Sequence, residues 1–214
     1  YETIPNFHNT EDRLAKFKAA VAEDKLGRAA ECQPEIDFVL AREADCSVAL
    51  NAMREGKLPL RVTHNDTKLN NVLMDEKSGE GMCIIDLDTV MPGLVLYDFG
   101  DSIRFGANHS AEDETDLSKV SLDLDLFAAY TAAFLEGTGG SLSSEEIAYL
   151  PWGAKLMTLE CGMRFLTDYL VGDEYFHIAR EKHNLDRCRT QFKLVADMED
   201  HWGELEAIAA QYRK

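Results

Sequence analysis

The sequence lacks any run of about eighteen apolar residues, and its opening YETIPNFHNTEDR is neither cationic nor apolar. The expectation for these residues is therefore neither a membrane-spanning helix nor a secretory leader. Basic residues are scarce: 22 Lys and Arg stand against 39 Asp and Glu, a formal net charge of −17. A surface of that sign repels phosphate backbones and anionic headgroups, so neither nucleic acid nor membrane is an expected partner. No CxxC pair occurs among the five cysteines, Cys32, Cys46, Cys83, Cys161 and Cys188, and none lies beside His at ligand spacing. That excludes a zinc site of the usual kind, and the odd count points to reduced thiols buried as small hydrophobes in a cytoplasmic protein. Internal repeats and low-complexity tracts are also missing. What remains is a chain of 214 residues, 45% hydrophobic and 29% charged, which can bury a core of ordinary size as one large domain or two small ones. It opens at Tyr1 rather than Met, which raises the expectation of further sequence upstream.

Periodicity divides the chain into three stretches. Thr10 followed by EDRLAKFKAAVAEDKLG predicts an N-capped helix closed by Gly27, and a second helix is expected from Pro34 to Gly56. Between Leu58 and Phe99 the apolar residues fall into short runs, LRV, NVLM, MCIIDL and LVLY, separated by DEKSGEG and MPG, the only strand-like part of the sequence. Helical patterning returns from Leu117, with stops at Gly137 and Gly172, a capping box at Ser144, and a long final helix from Asn184 to Tyr212. The expected organisation is a helical opening over 1–57, a catalytic β region over 58–105 and a helical substrate subdomain over 106–214. The fold class is α+β, mostly helical, with a central β-hairpin.

Within the β region, NVLMD and MCIID joined by EKSGEG predict an antiparallel hairpin. Its register is expected to set Asn71 opposite Asp86, about 4.5–5.5 Å apart at Cα. An amide oxygen and a carboxylate converging there make a hard-oxygen half-shell for Mg²⁺, leaving other positions to water and phosphate. Asp66, in the loop entering the hairpin, reaches the same cavity. Taken one at a time, these three residues are equally turn formers flanking a hairpin; their joint spacing favours chemistry.

THNDTKLNNVL resembles the catalytic loop of protein-kinase-like phosphotransferases, H-x-D-x-x-x-x-N, and IIDLD resembles the metal-binding Asp that follows it. The D-x-D form is similar to the aminoglycoside phosphotransferase and choline kinase branch. THNDTKLNNVLMD, YDFGDSIRFGAN, CGMRFLTDYLVGDEYF and RTQFKLVADME look most like the N-acetylhexosamine 1-kinases. The resemblance implies that Asp66 orients the acceptor hydroxyl and takes its proton. It implies that Asn71 and Asp86 hold Mg²⁺ on the phosphates of ATP, with Asp88 reaching the metal directly or through water. Lys68 would offset charge on the transferring group, and His64 would brace the loop. Arg164 and Tyr175 would contact a sugar, with Phe105 as an apolar wall. Arg164 has a plainer reading as the partner of Asp168 one helical turn on.

Such enzymes carry an upstream lobe with a strand-borne Lys and a phosphate-covering loop, which these residues do not contain. The chain is thus expected to be a C-terminal lobe whose partner is that N-terminal lobe, with little turnover alone. Two other strings compete with this assignment. IIDLDTV matches the signature of haloacid-dehalogenase-like phosphatases, but the parallel sheet they need is not expected where everything after Leu117 reads as helix. Asp98-Phe99-Gly100 spells the protein-kinase metal motif, but Pro92-Gly93 separates it from the hairpin, so Asp98 is expected to cap the helix DFGDSIRFG. The expected function is phosphorylation of a sugar hydroxyl, at the anomeric position of an N-acetylhexosamine. Choline, ethanolamine or an aminoglycoside are alternative acceptors, and a non-catalytic binding module is the alternative class.

Overall fold

Asn9 starts the first helix: its side-chain oxygen accepts the N–H of Asp12 at 3.0 Å, and Glu11 and Asp12 in the first turn complement the helix dipole. In the computed structural model, which describes residues 1–213, this helix α1 spans Thr10–Glu23. It ends when Asp24 turns left-handed, three residues before the expected Gly27. The single helix expected over 34–56 is two, α2 (Gln33–Leu40) and α3 (Val48–Arg54), joined by a 3₁₀ turn over Glu43–Ser47. Tertiary partners draw the intervening groups away from helical bonding. The Cys46 carbonyl takes the Thr10 hydroxyl, Asp45 takes the Lys155 ammonium at 2.7 Å, and Arg42 grips Glu199.

Four short strands follow, β1 (Arg61–Thr63), β2 (Val72–Met74), β3 (Gly81–Ile84) and β4 (Met91–Gly93). They pair antiparallel as β1 with β4 and β2 with β3. In the hairpin Val72 faces Ile84, so Asn71 comes opposite Ile85, whose N–H donates to its carbonyl at 2.9 Å. The expected pairing of Asn71 with Asp86 is therefore off by one residue, and in a strand that shift changes the face on which a side chain stands. Asp86 follows in a left-handed conformation (φ 61°, ψ 56°) that leads into a 3₁₀ turn over Leu87–Thr89. The hairpin packs into none of the cores, so Leu73, Met74, Met82 and Ile84 are about half exposed or more. Cys83 is exposed with them, unlike the buried Cys32, Cys46 and Cys188.

LVLY is not a strand. Helix α4 runs over Val95–Gly106, and Leu94 to Tyr97 are apolar because its start is buried on every side. Helix α5 (Leu124–Gly137) is capped by Asp123. The next helix breaks at Tyr149 into α6 (Ser144–Ala148) and α7 (Leu150–Val171), since Pro151 has no N–H to continue the ladder. Its capping box is Ser143 with Glu146, one residue before the expected Ser144. The last expected helix is likewise two, α8 (His183–Asp200) and α9 (Trp202–Ala210), with a turn at His201 that brings Trp202 edge-to-face onto Trp152. Among the described residues no helix is long and apolar enough to cross a membrane.

Helix α7 is the centre of the molecule. Met163, Leu166 and Leu170 pack with Phe17 of α1, Ile36 of α2 and Val195 of α8. Ala154 joins Phe99, Phe127, Leu194 and Leu205 in a second cluster. Where α4 crosses α7, a Cβ on Gly100 would stand 2.1 Å from the Gly153 carbonyl oxygen, and one on Gly153 would stand 2.3 Å from that of Leu96. The two backbones touch, which fixes α4 and the loop it carries.

Candidate active site

The loop after β1 is held in shape by buried polar groups. Asn65 has φ 67°, a left-handed conformation that costs about 1 kcal/mol but suits Asn better than most residues. Its side chain donates to the Thr89 carbonyl at 3.0 Å and accepts from the Thr63 hydroxyl at 2.9 Å. Gly93 of β4 makes room for this, since a Cβ there would lie 2.7 Å from the Asn65 side-chain oxygen. Asp98 supplies the outer brace. It sits inside the first turn of α4, which has no side-chain cap, and its carboxylate accepts the main-chain N–H of His64 at 2.9 Å and of Asn65 at 2.7 Å. Asp98 thus caps the loop rather than its own helix, because α4 already begins at Val95 and leaves Asp98 past the capping position. Burial pushes its carboxyl upward, against the pull of those two N–H groups. His64 links the loop to β3: Nε2 donates to the Ile85 carbonyl at 3.0 Å and Nδ1 accepts the Asp66 N–H at 3.3 Å.

Asp66 emerges from this frame half-buried. The Asn71 side-chain nitrogen donates to its Oδ2 and to its main-chain oxygen, both at 2.8 Å, and the Lys68 ammonium lies 2.9 Å from the same Oδ2. Asn71 is only 6% exposed and stands behind Asp66. Asp86 and Asp88 are exposed across the opening, and the Asp86 carboxyl is pushed upward, first by a hydrogen bond and repulsion from Asp88 and then by Asp66, while Lys68 opposes this. Two exposed carboxylates crowded together make a donor set suited to a hard divalent cation. Among the described residues no group of three or more His, Cys, Asp or Glu forms a cage. The donors that line the opening are Asp86 and Asp88, a partial shell of the kind Mg²⁺ shares with phosphates and water.

Asp66, Lys68, Asp86 and Asp88 line one cavity of about 550 Å³ together with Phe105, Arg164 and Tyr175. The structure thus brings all but one of the sequence-derived candidates to a single space, Asn71 lying just behind it. The inner wall carries Asp101, Arg104, Glu112 and Glu160. Buried Arg104 neutralises Asp101 at 2.8 Å and Glu112 at 2.8 Å. Asp101 Oδ2 and Glu160 Oε2 are buried without a hydrogen-bond partner among the described residues.

Arg164 does not pair with Asp168. Its guanidinium lies over the rings of Tyr175 and Phe176 at 5.7 and 5.3 Å. Asp168 instead accepts the N–H groups of Glu174, Tyr175 and Phe176 at 3.0, 2.8 and 3.0 Å, shaping the turn that presents Tyr175 at the cavity mouth. A second cavity of about 440 Å³ shares Arg164, Tyr175 and Phe176 and adds Arg13 and Lys16.

Three participants carried no recognisable signal of this role in the sequence: Asp98, Glu160 and His8. Asp98 was visible only as part of a string that spells a different motif. Glu160 and His8 meet each other at 3.0 Å across 152 residues.

The sequence model of APH, described as a phosphotransferase enzyme family, matches residues 1–137. The match contains the whole loop from His64 to Asn71, both small sheets and α4. It ends with α5, so Arg164 and Tyr175 lie outside it.

Proposed function

Because this chain belongs to the phosphotransferase enzyme family, we propose that it carries the catalytic centre of a small-molecule kinase that moves the γ-phosphoryl group of ATP onto a sugar hydroxyl. The observation that carries the reading is the Asp66 carboxylate, held by the Asn71 amide and the Lys68 ammonium at 2.8 and 2.9 Å on the wall of an open cavity. In this reading Asp66 receives the acceptor's hydroxyl proton as the new O–P bond forms and the bond to ADP breaks. Lys68 sits where it offsets negative charge gathering on the transferred group. The Asn71 amide oxygen, Asp86 and Asp88 are the groups that would hold Mg²⁺. That ion would neutralise phosphate charge.

The acceptor is assigned as an N-acetylhexosamine, phosphorylated at the anomeric oxygen. A neutral polyol is supported by the charge balance of the inner wall. Arg104 answers Asp101 and Glu112, while His8 and Arg13 answer Glu160, so the wall offers acceptor oxygens more than net negative charge. Hydroxyl groups are the donors that the unpartnered Asp101 Oδ2 and Glu160 Oε2 would take. Tyr175 and Phe105 supply apolar faces for a ring.

The test is acceptor-dependent ADP release from Mg-ATP by these residues together with the upstream lobe that such enzymes carry, run with N-acetylhexosamines, plain hexoses, choline and an aminoglycoside. Stimulation by N-acetylhexosamines, abolished in Asp66→Asn, is the expected result. Stimulation by choline or the aminoglycoside alone would keep the chemistry and discard the acceptor. Unaltered product formation by Asp66→Asn would overturn the assignment of the base.

A further inference from the structure

His8 lies in the segment before α1, packed between Phe7 and Tyr97 at ring distances of 4.7 and 5.0 Å. Its Nδ1 is 3.0 Å from Glu160 Oε1, and its Nε2 is 2.8 Å from the main-chain oxygen of Asn65. Both partners are acceptors. A neutral imidazole has one N–H and one lone pair, so it can satisfy only one of them; both bonds form only when both nitrogens carry protons. His64 shows the contrast within the same loop, since its two nitrogens meet one acceptor and one donor and a single proton suffices.

The bond at Nε2 falls on a decisive peptide. The carbonyl of Asn65 belongs to the peptide that leads into Asp66, and the N–H of that same peptide is the group held by His64 Nδ1. The preceding peptide is held through its N–H by Asp98. The left-handed turn at Asn65 is therefore gripped from both sides, and His8 is the grip with a removable proton.

We propose that His8 is a doubly protonated positioning residue of phosphoryl transfer, paired to Glu160 and fixing through the Asn65 carbonyl where the Asp66 carboxylate stands. The inference rests on Asp66 acting as the base in the reading above. Groups facing the imidazole and its partner from the surrounding elements are Glu160 and Arg164 of α7, Arg13 of α1, and Tyr97, Asp98 and Asp101 of α4. Burial alone would strip the second proton from His8. The charge and hydrogen bond of Glu160, the Asn65 carbonyl and the charge of Asp101 outweigh it, and the imidazole titrates above its ordinary range. Glu160 shifts the other way: burial favours its neutral form, but His8, Arg164 and Arg13 hold the carboxylate below its ordinary range.

The experiment is a pH titration of the intact protein followed by ¹⁵N and ¹H NMR of the His8 ring and of the Asn65 and Asp66 amides. The expected result is two protonated ring nitrogens at neutral pH, with the Asp66 amide moving at the same alkaline midpoint as the ring. In Glu160→Gln that midpoint falls by about one unit or more. In His8→Gln, which keeps a donor but no charge, kcat is expected to drop about tenfold with the acceptor KM within about twofold, and the alkaline fall of kcat at the His8 midpoint disappears. A ring with one bare nitrogen at neutral pH overturns the proposal, as does an Asp66 amide indifferent to it. Equal losses in His8→Gln at every pH, with KM raised in step, would reduce His8 to a packing residue. If no acceptor supports ADP release by the protein with its upstream lobe present, the kinase reading fails while the NMR titration still decides the state of His8 and its hold on the loop.

Discussion

Asn71 turns its side-chain nitrogen onto Asp66, 2.8 Å from the carboxylate Oδ2 and 2.8 Å from the main-chain oxygen of the same residue. Both N–H groups of the amide are thereby directed at one partner, which leaves the amide oxygen as the end that can take a cation. One residue thus holds the carboxylate proposed as the base and keeps its amide oxygen free for the proposed Mg²⁺, and the five-residue spacing between them is what allows the short loop to close on itself.

Replacement of Asn71 by Asp should therefore be far worse than its small size change suggests. The new carboxylate would face that of Asp66 at hydrogen-bond distance, so one of the two must hold a proton at neutral pH. Phosphoryl transfer measured by ADP release is expected to fall by about a hundredfold or more. Retention of more than about a tenth of the rate would show that the Asp66–Asn71 contact does not matter to catalysis.

The exposed carboxylates behave differently. Asp86→Asn and Asp88→Asn remove charge from the open side of the cavity without disturbing a core, so the melting temperature should stay within about 2 °C. The Mg²⁺ concentration giving half-maximal ADP release should rise about tenfold or more for Asp86→Asn and less for Asp88→Asn. Chelation with EDTA should abolish transfer by the unaltered protein, and added Mg²⁺ should restore it. Equal Mg²⁺ dependence in both variants and the parent would remove these residues from the metal site.

The crossing of α4 over α7 makes a stability prediction. At Gly100 an added methyl would meet the Gly153 main-chain oxygen at 2.1 Å, and no side-chain rotation can relieve a clash with backbone. Gly100→Ala is expected to cost about 3 kcal/mol or more, lowering the melting temperature by roughly 6–12 °C in a chain of this size. Gly137→Ala is the control, since a Cβ there meets nothing within 4 Å. It should be neutral or slightly stabilising. A melting temperature for Gly100→Ala equal to that of the control would mean the helices do not cross this closely.

The ion pair of His8 and Glu160 sets a pH window for stability. Glu160 is held below its ordinary value, so its contribution is complete above about 4.3 and is lost as pH falls through its lowered value. His8 is held above its ordinary value, so its contribution is complete below about 6.5 and is lost as pH rises through its raised value. The difference in melting temperature between the unaltered protein and His8→Gln should be largest between about pH 4.3 and 6.5 and shrink on the alkaline side. A difference that is flat from pH 5 to about 10 would contradict the pairing.

Local spacing alone determined a good deal of this protein. Helix starts at polar residues, the hairpin between NVLM and MCII, and the contacts of Asp66 with His64, Lys68 and Asn71 involve residues close together in the chain, which a sequence records directly. The same logic failed by small amounts where neighbours in space outbid neighbours in sequence. Asn71 met Ile85 instead of Asp86 because the hairpin sets Val72 against Ile84, one residue short of the expected register, and Asp86 turns left-handed beyond the strand. LVLY became helix because its apolar residues face two packed surfaces rather than a sheet.

What only the tertiary structure decided is how the loop is held. Asp98 reaches back 33 and 34 residues to two orphan N–H groups, and His8 reaches forward 57 residues to the Asn65 carbonyl while Glu160 closes on it from the other side. Such contacts carry no periodicity and no spacing, because they exist only once α4 and α7 have packed at Gly100 and Gly153 and brought their polar residues beneath the loop. The sequence by itself names the candidate groups of the loop. The folded core decides which buried charges keep them in place.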